Sequence, residues 1–270
     1  MRLPLSAANT ALLLAVLDEL SRHGGRPVLV GGLVPPLLVA TLAPGALADL
    51  APRTTNDCDV AFLTDASAAS YDACRAAMLG MAFRPVHQCR WRHASGLLVD
   101  AMPVPTGVER GGASAVGFAR AFLHDDPARF YRGYELALAR PITAMIELDD
   151  GATRPVAIAS ITAMLAMKLQ AFLDRPFDRQ RDAQDVVWLA RSLDPDVIGD
   201  DLVACRSARG DLVDEILARL EQHFADPWSR GISAYFEQAF RGRTSFDEDA
   251  RREGGAAAIG ALLAAYRRLA

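Results

Sequence analysis

Two carboxylates placed two residues apart at the start of an apolar run constrain this chain more than any other feature. Asp57 and Asp59 lead directly into residues 60–63, whose apolar side chains are typical of a buried strand. Because side chains at positions i and i+2 of a strand point to the same side, both carboxylates face one spot and Cys58 faces the other way. Two like charges held this close need a cation between them, and a divalent metal ion is the simplest candidate.

The chemistry of oxygen ligands makes Mg²⁺ the ion that we expect at this strand, with Mn²⁺ as an alternative. Mg²⁺ is usually held by one or two carboxylates together with the phosphates of a substrate. The pattern therefore predicts a strand that binds Mg²⁺ and the triphosphate of a nucleotide. The other interpretation is that Asp57 and Asp59 cap a turn or face water, as aspartates at strand ends often do.

A pair of glycines lies between a short predicted strand, residues 27–30, and the start of a predicted helix. Pro35 and Pro36 fall where the first turn of that helix tolerates proline. Glycine lets a ligand approach the backbone closely, and the free N–H groups at a helix start attract anions. Gly31 and Gly32 are therefore candidates for phosphate binding, although such a pair is more often only a turn.

Asp100 places a charge in a strand, residues 97–102, that is otherwise apolar. A charge in a buried strand needs a partner or a function. If this strand lies beside the strand of Asp57 and Asp59, the three carboxylates cluster. The alternative is that Asp100 only forms an ion pair with Arg90 or Arg92.

Lys168 lies in a predicted helix that is apolar nearly all round. On the next predicted helix, Asp182 and Asp185 are three residues apart and therefore share a face. Lys168 could reach a bound anion, or its amino group could form an ion pair with Asp182 or Asp185 that joins the two helices. The sequence leaves both interpretations open.

The remaining patterns predict an α+β protein, with a mixed sheet and flanking helices in residues 1–158 and a helical bundle in residues 159–270. In the first part, hydrophobic periodicity predicts helices at 6–23 and 66–79 and strands at 83–87, 89–93, 97–102, 142–148 and 154–158, with irregular structure at 104–132. In the second part it predicts helices at 160–172, 178–193, 196–206, 209–224, 228–240 and 255–269.

Composition limits the classes of function that this chain can have. The formal net charge of -4 argues against a protein that coats nucleic acid with a basic face, although a local basic groove is compatible with it. The four cysteines form no Cys-x-x-Cys pair, so we expect reduced thiols in a cytoplasmic protein. The apolar residues 11–17 are followed at once by Asp18 and Glu19, which favours an amphipathic helix over a signal peptide, and no run is long enough to span a bilayer.

Four motifs are separated along the chain: Gly31-Gly32, Arg53-x-Thr55-x-Asp57-x-Asp59, Val99-Asp100, and Lys168-x-x-Ala171 followed by Arg181-Asp182-x-x-Asp185. Together they resemble the AbiEii/AbiGii toxin family, whose members are nucleotidyltransferase-fold toxins of bacterial toxin–antitoxin and phage-defence systems. The resemblance runs from residue 28 to about residue 190. Its most specific part is the block from Lys168 to Asp185, whereas the glycine pair and the Asp-x-Asp pair are common to the wider nucleotidyltransferase superfamily.

The resemblance implies an enzyme that moves a nucleoside monophosphate from an NTP to an acceptor hydroxyl on RNA, including tRNA, or on protein. It implies Mg²⁺, or Mn²⁺, as the cofactor and a cognate antitoxin as a protein partner. By the same resemblance, Asp57 and Asp59 would bind the metal, and Asp100 would assist metal binding or act as a base. Lys168 would contact phosphates, and Asp185 would be the acidic residue of the helical motif. The nucleotide would be bound by the remaining motif residues, Gly31, Gly32, Arg53, Thr55 and Arg181, together with Lys168.

Two departures from the family pattern leave other functions open. Leu33 follows the glycine pair where relatives commonly have a hydroxyl residue, and the interval from Gly32 to Asp57 is longer than usual. A catalytically silent nucleotide-binding or regulatory protein of the same fold is therefore one alternative. A transferase that acts on a cationic small molecule of the aminoglycoside type is another, and an acidic acceptor cleft would favour it. A basic cleft, formed by Arg90, Arg92, Arg179 and Arg181, would favour RNA.

Overall fold

The computed structural model describes residues 1–23, 25–45, 57–64, 68–86, 89–105, 127–241 and 247–270. Its contacts divide the chain into two compact units, Met1–Leu37 with Arg53–Ser160, and Leu38–Pro52 with Ile161–Ala270. The division into domains at residue 158 stays a sequence-based prediction. Arg53 and Thr55 lie outside the described residues. So do Asp65, which the sequence suggests as a helix cap, and His124, which it suggests as a surface loop residue.

The first unit contains a mixed sheet. Its strands, as far as the chain is described, are β1 (Val28–Val30), β2 (Asp57–Thr64), β3 (Arg84–Pro85), β4 (Arg90–Arg92), β5 (Leu98–Pro105), β6 (Ile142–Glu147) and β7 (Thr153–Ile158). Their order across the sheet is β3-β4-β5-β2-β1-β7-β6. The central strands β1 and β2 carry fully buried apolar side chains, Leu29 and Val60 among them, so the sheet's centre is the core of this unit.

The first unit also contains helices α1 (Ala7–Arg22), α3 (Ala68–Gly80) and α4 (Pro127–Ala139). A 3-10 turn (Gly31–Leu33) joins β1 to α2 (Val34–Leu42), whose residues from Leu38 on belong to the second unit. The sequence suggests Ser6 as the cap of α1, and the hydroxyl of Ser6 does accept a hydrogen bond from the Asn9 N–H. Helix α4 corrects the prediction of irregular structure at 104–132. Its first residue is a proline, which suits a helix start. Leu136 and Ala137, in its last turns, are buried.

The described part of the second unit is helical, with α5 (Ile161–Asp174), α6 (Gln180–Ser192), α7 (Pro195–Phe224), α8 (Arg230–Ala239) and α9 (Glu248–Leu269). Large side chains, including Phe172, Phe224 and Tyr235, are fully buried between these helices. Together with the mixed sheet of the first unit, this arrangement confirms the predicted α+β class. In the described part of the chain, no helix combines the length and the apolar character needed to cross a membrane.

Two helices in the second unit differ from the sequence-based prediction. The predicted helices 196–206 and 209–224 form one helix, α7, with a kink at Arg209, where φ is -146 and ψ is 61. Helix α9 begins at Glu248 rather than at 255, and the carboxylate of Asp247 accepts a hydrogen bond from the Ala250 N–H. The pair Gly254-Gly255 lowers helix propensity, but Gly255 is buried beside Ile232 and Tyr235. Tertiary packing therefore overrides local propensity here.

Smaller corrections concern element ends. The sequence suggests Asp178 as the cap of α6, but Arg179 occupies the N-cap position and its side chain makes no capping hydrogen bond. Strand β3 is only two residues long where a strand at 83–87 was expected. Ala82 has φ of 62, and a left-handed residue of this kind turns the chain directly before β3. The predicted hairpin at 94–96 is confirmed, because β4 and β5 pair antiparallel across it.

The packing of α8 predicts that Gly231→Ala destabilises the protein. A Cβ at Gly231 would lie 2.4 Å from Phe224 Cε1 and 2.6 Å from the His223 carbonyl oxygen, so the α7–α8 connection has to shift. We expect the free energy of unfolding, measured by urea denaturation, to fall by about 1–3 kcal/mol. The matched control is Gly260→Ala in α9, where a Cβ meets nothing within 4 Å. That change is expected to be neutral or to stabilise by up to about 1 kcal/mol, and equal effects at the two sites would contradict the packing argument.

Candidate functional site

Strand register brings the three predicted carboxylates of the first unit onto one face of the sheet. Strands β2 and β5 are parallel neighbours with Asp59 opposite Asp100, and β4 pairs with β5 so that Arg90 is also opposite Asp100. Side chains directly opposite each other on neighbouring strands lie on the same face. Asp57 precedes Asp59 by two residues and therefore shares that face. The expected adjacency of the two aspartate strands is confirmed, and we call Asp57, Asp59, Asp100 and Arg90 the carboxylate row.

The glycine turn contacts this row directly. Gly31 has φ of 71, and a Cβ built on it would lie 1.8 Å from the Asp59 Oδ2 atom. Any other residue would be strained there and would collide with the carboxylate. Gly32 is buried beside it, and Leu33 is a core side chain with 1% exposure. The glycine turn therefore lies against the carboxylate row, and both belong to the first unit.

Arg90 neutralises part of the row. Its Nε donates to Asp100 Oδ1 at 2.7 Å and its Nη2 to Oδ2 at 2.5 Å, a bidentate pair. The same Nη2 lies 3.7 Å from Asp57 Oδ2. The hydrogen bonds to Asp100 raise the pKa of the Arg90 guanidinium above its usual value, burial acts in the opposite direction, and the charges of Asp100, Asp57 and Asp59 add to the increase. Of the two interpretations of Asp100, the ion pair with Arg90 is therefore present, and it lies inside the carboxylate cluster.

The cysteines near the row are structural. Cys58 is buried on the opposite face of β2, and burial, followed by the charges of Asp59, Asp57 and Asp100, raises the pKa of its thiol. Burial likewise raises the pKa of the Cys89 thiol to about 12. Both remain protonated at neutral pH and are poor nucleophiles. All four cysteines of the chain are buried free thiols, as expected.

In the second unit, Lys168 is held by two carboxylates of α6. Its Nζ lies 2.8 Å from Asp182 Oδ1 and 2.7 Å from Asp185 Oδ2. All three side chains are buried, with residue exposures of 5%, 3% and 4% for Lys168, Asp182 and Asp185. We call these three residues the lysine triad. The ion pair that the sequence left open is therefore present, and it involves both aspartates.

Lys168 is the only lysine of the chain, beside 28 arginines. A compact ammonium group fits between two buried carboxylates, whereas the planar guanidinium of arginine is longer and needs a fork of acceptors. The scarcity of lysine is a signal in the sequence that the four motifs do not contain. The one ammonium group of the chain is thus the cation that lies between these two buried carboxylates.

The triad carries one more negative than positive charge, and one of its oxygens lacks a close donor. Among the described residues, Asp182 Oδ2 is buried and has no hydrogen-bond partner. Arg179, at the N-cap position of α6, forms a long ion pair with this oxygen, and its Nη1 lies 3.9 Å away. Arg181, predicted to bind nucleotide, is exposed at the start of α6. The four motifs did not include Arg179, which the sequence suggested only as part of a basic cleft.

The carboxylates of the row are of the donor type that fits a divalent cation. Within the described ranges, no group of three or more His, Cys, Asp or Glu side chains is arranged to hold a metal ion. Asp57 and Asp59 supply the hard oxygen donors that Mg²⁺ prefers, and two carboxylates with substrate phosphates are sufficient for it. Both oxygens of Asp100, in contrast, accept hydrogen bonds from Arg90.

No curated protein and no solved structure matches this chain. A family model does match, and it covers residues 136–252, somewhat less than half of the chain. This range contains the lysine triad and Arg181, begins after the carboxylate row, and continues past residue 190 into the C-terminal helices, where the sequence had suggested nothing specific. The matched model is described as "Nucleotidyl transferase AbiEii toxin, Type IV TA system", so the resemblance to AbiEii nucleotidyltransferase toxins is confirmed over residues 136–252.

Proposed function

We propose that this protein is a metal-dependent nucleotidyltransferase that acts as the toxin of a toxin–antitoxin or phage-defence system. The reaction would transfer a nucleoside monophosphate from an NTP to a hydroxyl of RNA, tRNA included, or of protein. The observation that carries the proposal is the contact of Asp59 with Gly31, beside Asp57 and Asp100. The family match supports nucleotidyl transfer in general, and it is the reason to expect a cognate antitoxin as a partner.

Asp57 and Asp59 would hold Mg²⁺ or Mn²⁺, which when bound neutralises charge on the triphosphate and on the leaving pyrophosphate. Gly31 and Gly32 would bind phosphate oxygens through backbone N–H groups at the turn into α2. The acceptor oxygen would form a bond to the α-phosphorus as the bond to pyrophosphate breaks. Such transfer depends mainly on positioning and charge stabilisation, so few reactive side chains are needed.

Asp100 would orient the acceptor hydroxyl and take its proton. A carboxylate has about four lone-pair sites, so the two bonds from Arg90 leave room for a hydroxyl. Arg90 also fixes the plane of the carboxylate. A carboxylate held in one plane in this way suits the orientation of an acceptor hydroxyl.

For Lys168 we propose a role in fixing the helical motif, in addition to the phosphate contact that the resemblance implies. Its ammonium joins α5 to α6 through Asp182 and Asp185, and α6 presents Arg181 at its exposed start. The triad would thereby set the position of the first turn of α6. Arg181 would then be the cation of this motif that is exposed to a nucleotide.

The central test is the loss of transfer in Asp57→Asn and Asp59→Asn. Each substitution removes one of two proposed metal ligands, so we expect Mg²⁺-dependent transfer of label from an α-labelled NTP to RNA or protein to fall by at least about 100-fold. The control is Asp149→Asn, an exposed aspartate in the β6–β7 turn. Full activity of either ligand variant would remove the proposal, and NTP binding without transfer by the unaltered protein would favour the catalytically silent alternative.

A second prediction separates steric collision from backbone strain at the glycine turn. Gly31→Ala places a methyl group against the Asp59 carboxylate, so we expect transfer to be lost as the carboxylate is displaced. Gly96→Ala is the matched control, because Gly96 also has positive φ, 86, but its Cβ would meet nothing within 4 Å. The control should lose about 1–2 kcal/mol of stability and keep its activity. Equal losses of activity in the two variants would count against the Gly31–Asp59 contact.

The lysine triad gives a prediction on stability. Lys168→Met leaves two carboxylates buried without their cation, so we expect the free energy of unfolding in urea to fall by about 3–5 kcal/mol. Replacing Asp182 and Asp185 by asparagine as well, in the same variant, removes the uncompensated charge and should restore part of that loss. No recovery in the triple variant would mean that packing of the lysine stem, and not its charge, holds the two helices.

A further inference from the structure

Arg90 lies where three carboxylates of the row converge. It binds both oxygens of Asp100 and lies 3.7 Å from Asp57, whose neighbour on the same face is Asp59. The side chains of Arg90 and Asp57 are 32% and 38% exposed, so solvent reaches this end of the row. Asp100 is more enclosed, with 16% exposure.

The four side chains that define the row do not balance one another in charge. Summed over these four described residues alone, three carboxylates and one guanidinium give a net charge of two negatives, which is the charge that one divalent cation would neutralise. Arginine keeps its proton under all ordinary conditions, so this charge count does not change with pH near neutrality. A divalent cation between Asp57 and Asp59 would therefore be placed beside a permanent positive charge.

We propose that Arg90 is the built-in counter-ion of the carboxylate row and that a divalent cation binds the row in competition with its charge. Asp100 is then not a metal ligand, and its effect on the metal passes through Arg90 alone. This inference rests on the proposed function, since it concerns the same metal site. Its physical basis is repulsion between like charges a few ångströms apart, which is substantial at a partly enclosed site and would be weak in bulk water.

Arg90 would also have a role once a metal–nucleotide complex is bound. A guanidinium presents five N–H donors, and its bond to Asp100 uses only two of them. The donors that lie toward Asp57 are placed to bind a phosphate oxygen when a metal–nucleotide complex occupies Asp57 and Asp59. Arg90 would thus offset the charge of Asp57 before the nucleotide binds and the charge of a phosphate afterwards, while it stays bound to Asp100.

The test is a titration of the nucleotide-free protein with Mn²⁺. Binding is measured as the loss of the electron paramagnetic resonance signal of aqueous Mn²⁺. Arg90→Gln changes the net charge of the row from two to three negatives, so we expect Kd for Mn²⁺ to fall at least about tenfold, or about 1.4 kcal/mol. Asp100→Asn leaves one net negative charge and should raise Kd. The double variant, Arg90→Gln with Asp100→Asn, restores two negatives and should bind Mn²⁺ within about threefold of the unaltered protein.

The outcomes separate this inference from the proposed function. Asp57→Asn should abolish the binding in every background, which identifies the site. If that binding is present but Arg90→Gln leaves Kd unchanged or raises it, the competition is overturned while the proposed function stands. If the double variant binds much more weakly than the unaltered protein, Asp100 is a ligand and its effect through Arg90 alone is overturned. If no Mn²⁺ binding depends on Asp57, both fail. Should Arg90→Gln not fold, as shown by circular dichroism, the double variant is compared with Asp100→Asn, from which it differs only at Arg90. Tighter Mn²⁺ binding by the double variant supports the competition, and equal or weaker binding overturns it.

Discussion

The contact between the Asp59 carboxylate and the backbone of Gly31 is the constraint on which the rest of the candidate site depends. It requires a left-handed residue without a side chain directly after β1, and a strand pairing that puts Asp59 beside the end of β1. The antiparallel register of β1 with β2, Val30 opposite Asp59, provides that pairing. A turn suited to phosphate and a carboxylate suited to a metal are thus brought together by one steric requirement.

The chain compensates clustered carboxylates in two different ways. At the sheet, the partly exposed Arg90 binds both oxygens of Asp100 and lies near Asp57. Its remaining N–H donors are therefore accessible to a ligand. In the helical unit, a buried lysine is enclosed by two aspartates, so its charge is committed to the structure. Solvent access explains the difference in use, because a buried pair is costly to break whereas a half-exposed one is not. The single lysine among so many arginines agrees with this division of roles.

Much of the sheet site followed from period-two alternation and strand adjacency. The common face of Asp57 and Asp59, and the position of Asp100 on the neighbouring strand, needed nothing more. The sequence could also have identified Arg90, and not Arg92, as the partner of Asp100. A hairpin centred on residue 95 places residue 90 opposite residue 100. What sequence could not provide was whether a cluster or an ion pair forms, since both occur at once and only distances reveal it.

In the helical unit, the sequence predicted the order of the helices better than the residues at which they begin and end. The kink at Arg209 and the early start of α9 result from packing between helices distant in sequence, which local propensity does not contain. Helix α4 was missed because a turn-like run before Pro127 dominated the pattern. For Lys168, both interpretations followed from the sequence, and the structure shows the ion pair. The family match extends over these helices to residue 252, beyond the motifs that suggested it.

The most direct measurement of the central claim is a crystal structure of the protein with Mn²⁺ and a non-hydrolysable NTP analogue, with the metal located by its anomalous scattering. The account predicts one or more Mn²⁺ ions within about 2.0–2.3 Å of oxygens of both Asp57 and Asp59, phosphate oxygens against the Gly31 turn, and Asp100 still bound by Arg90. A complex that contains the nucleotide elsewhere, or a metal bound without either Asp57 or Asp59, would contradict it.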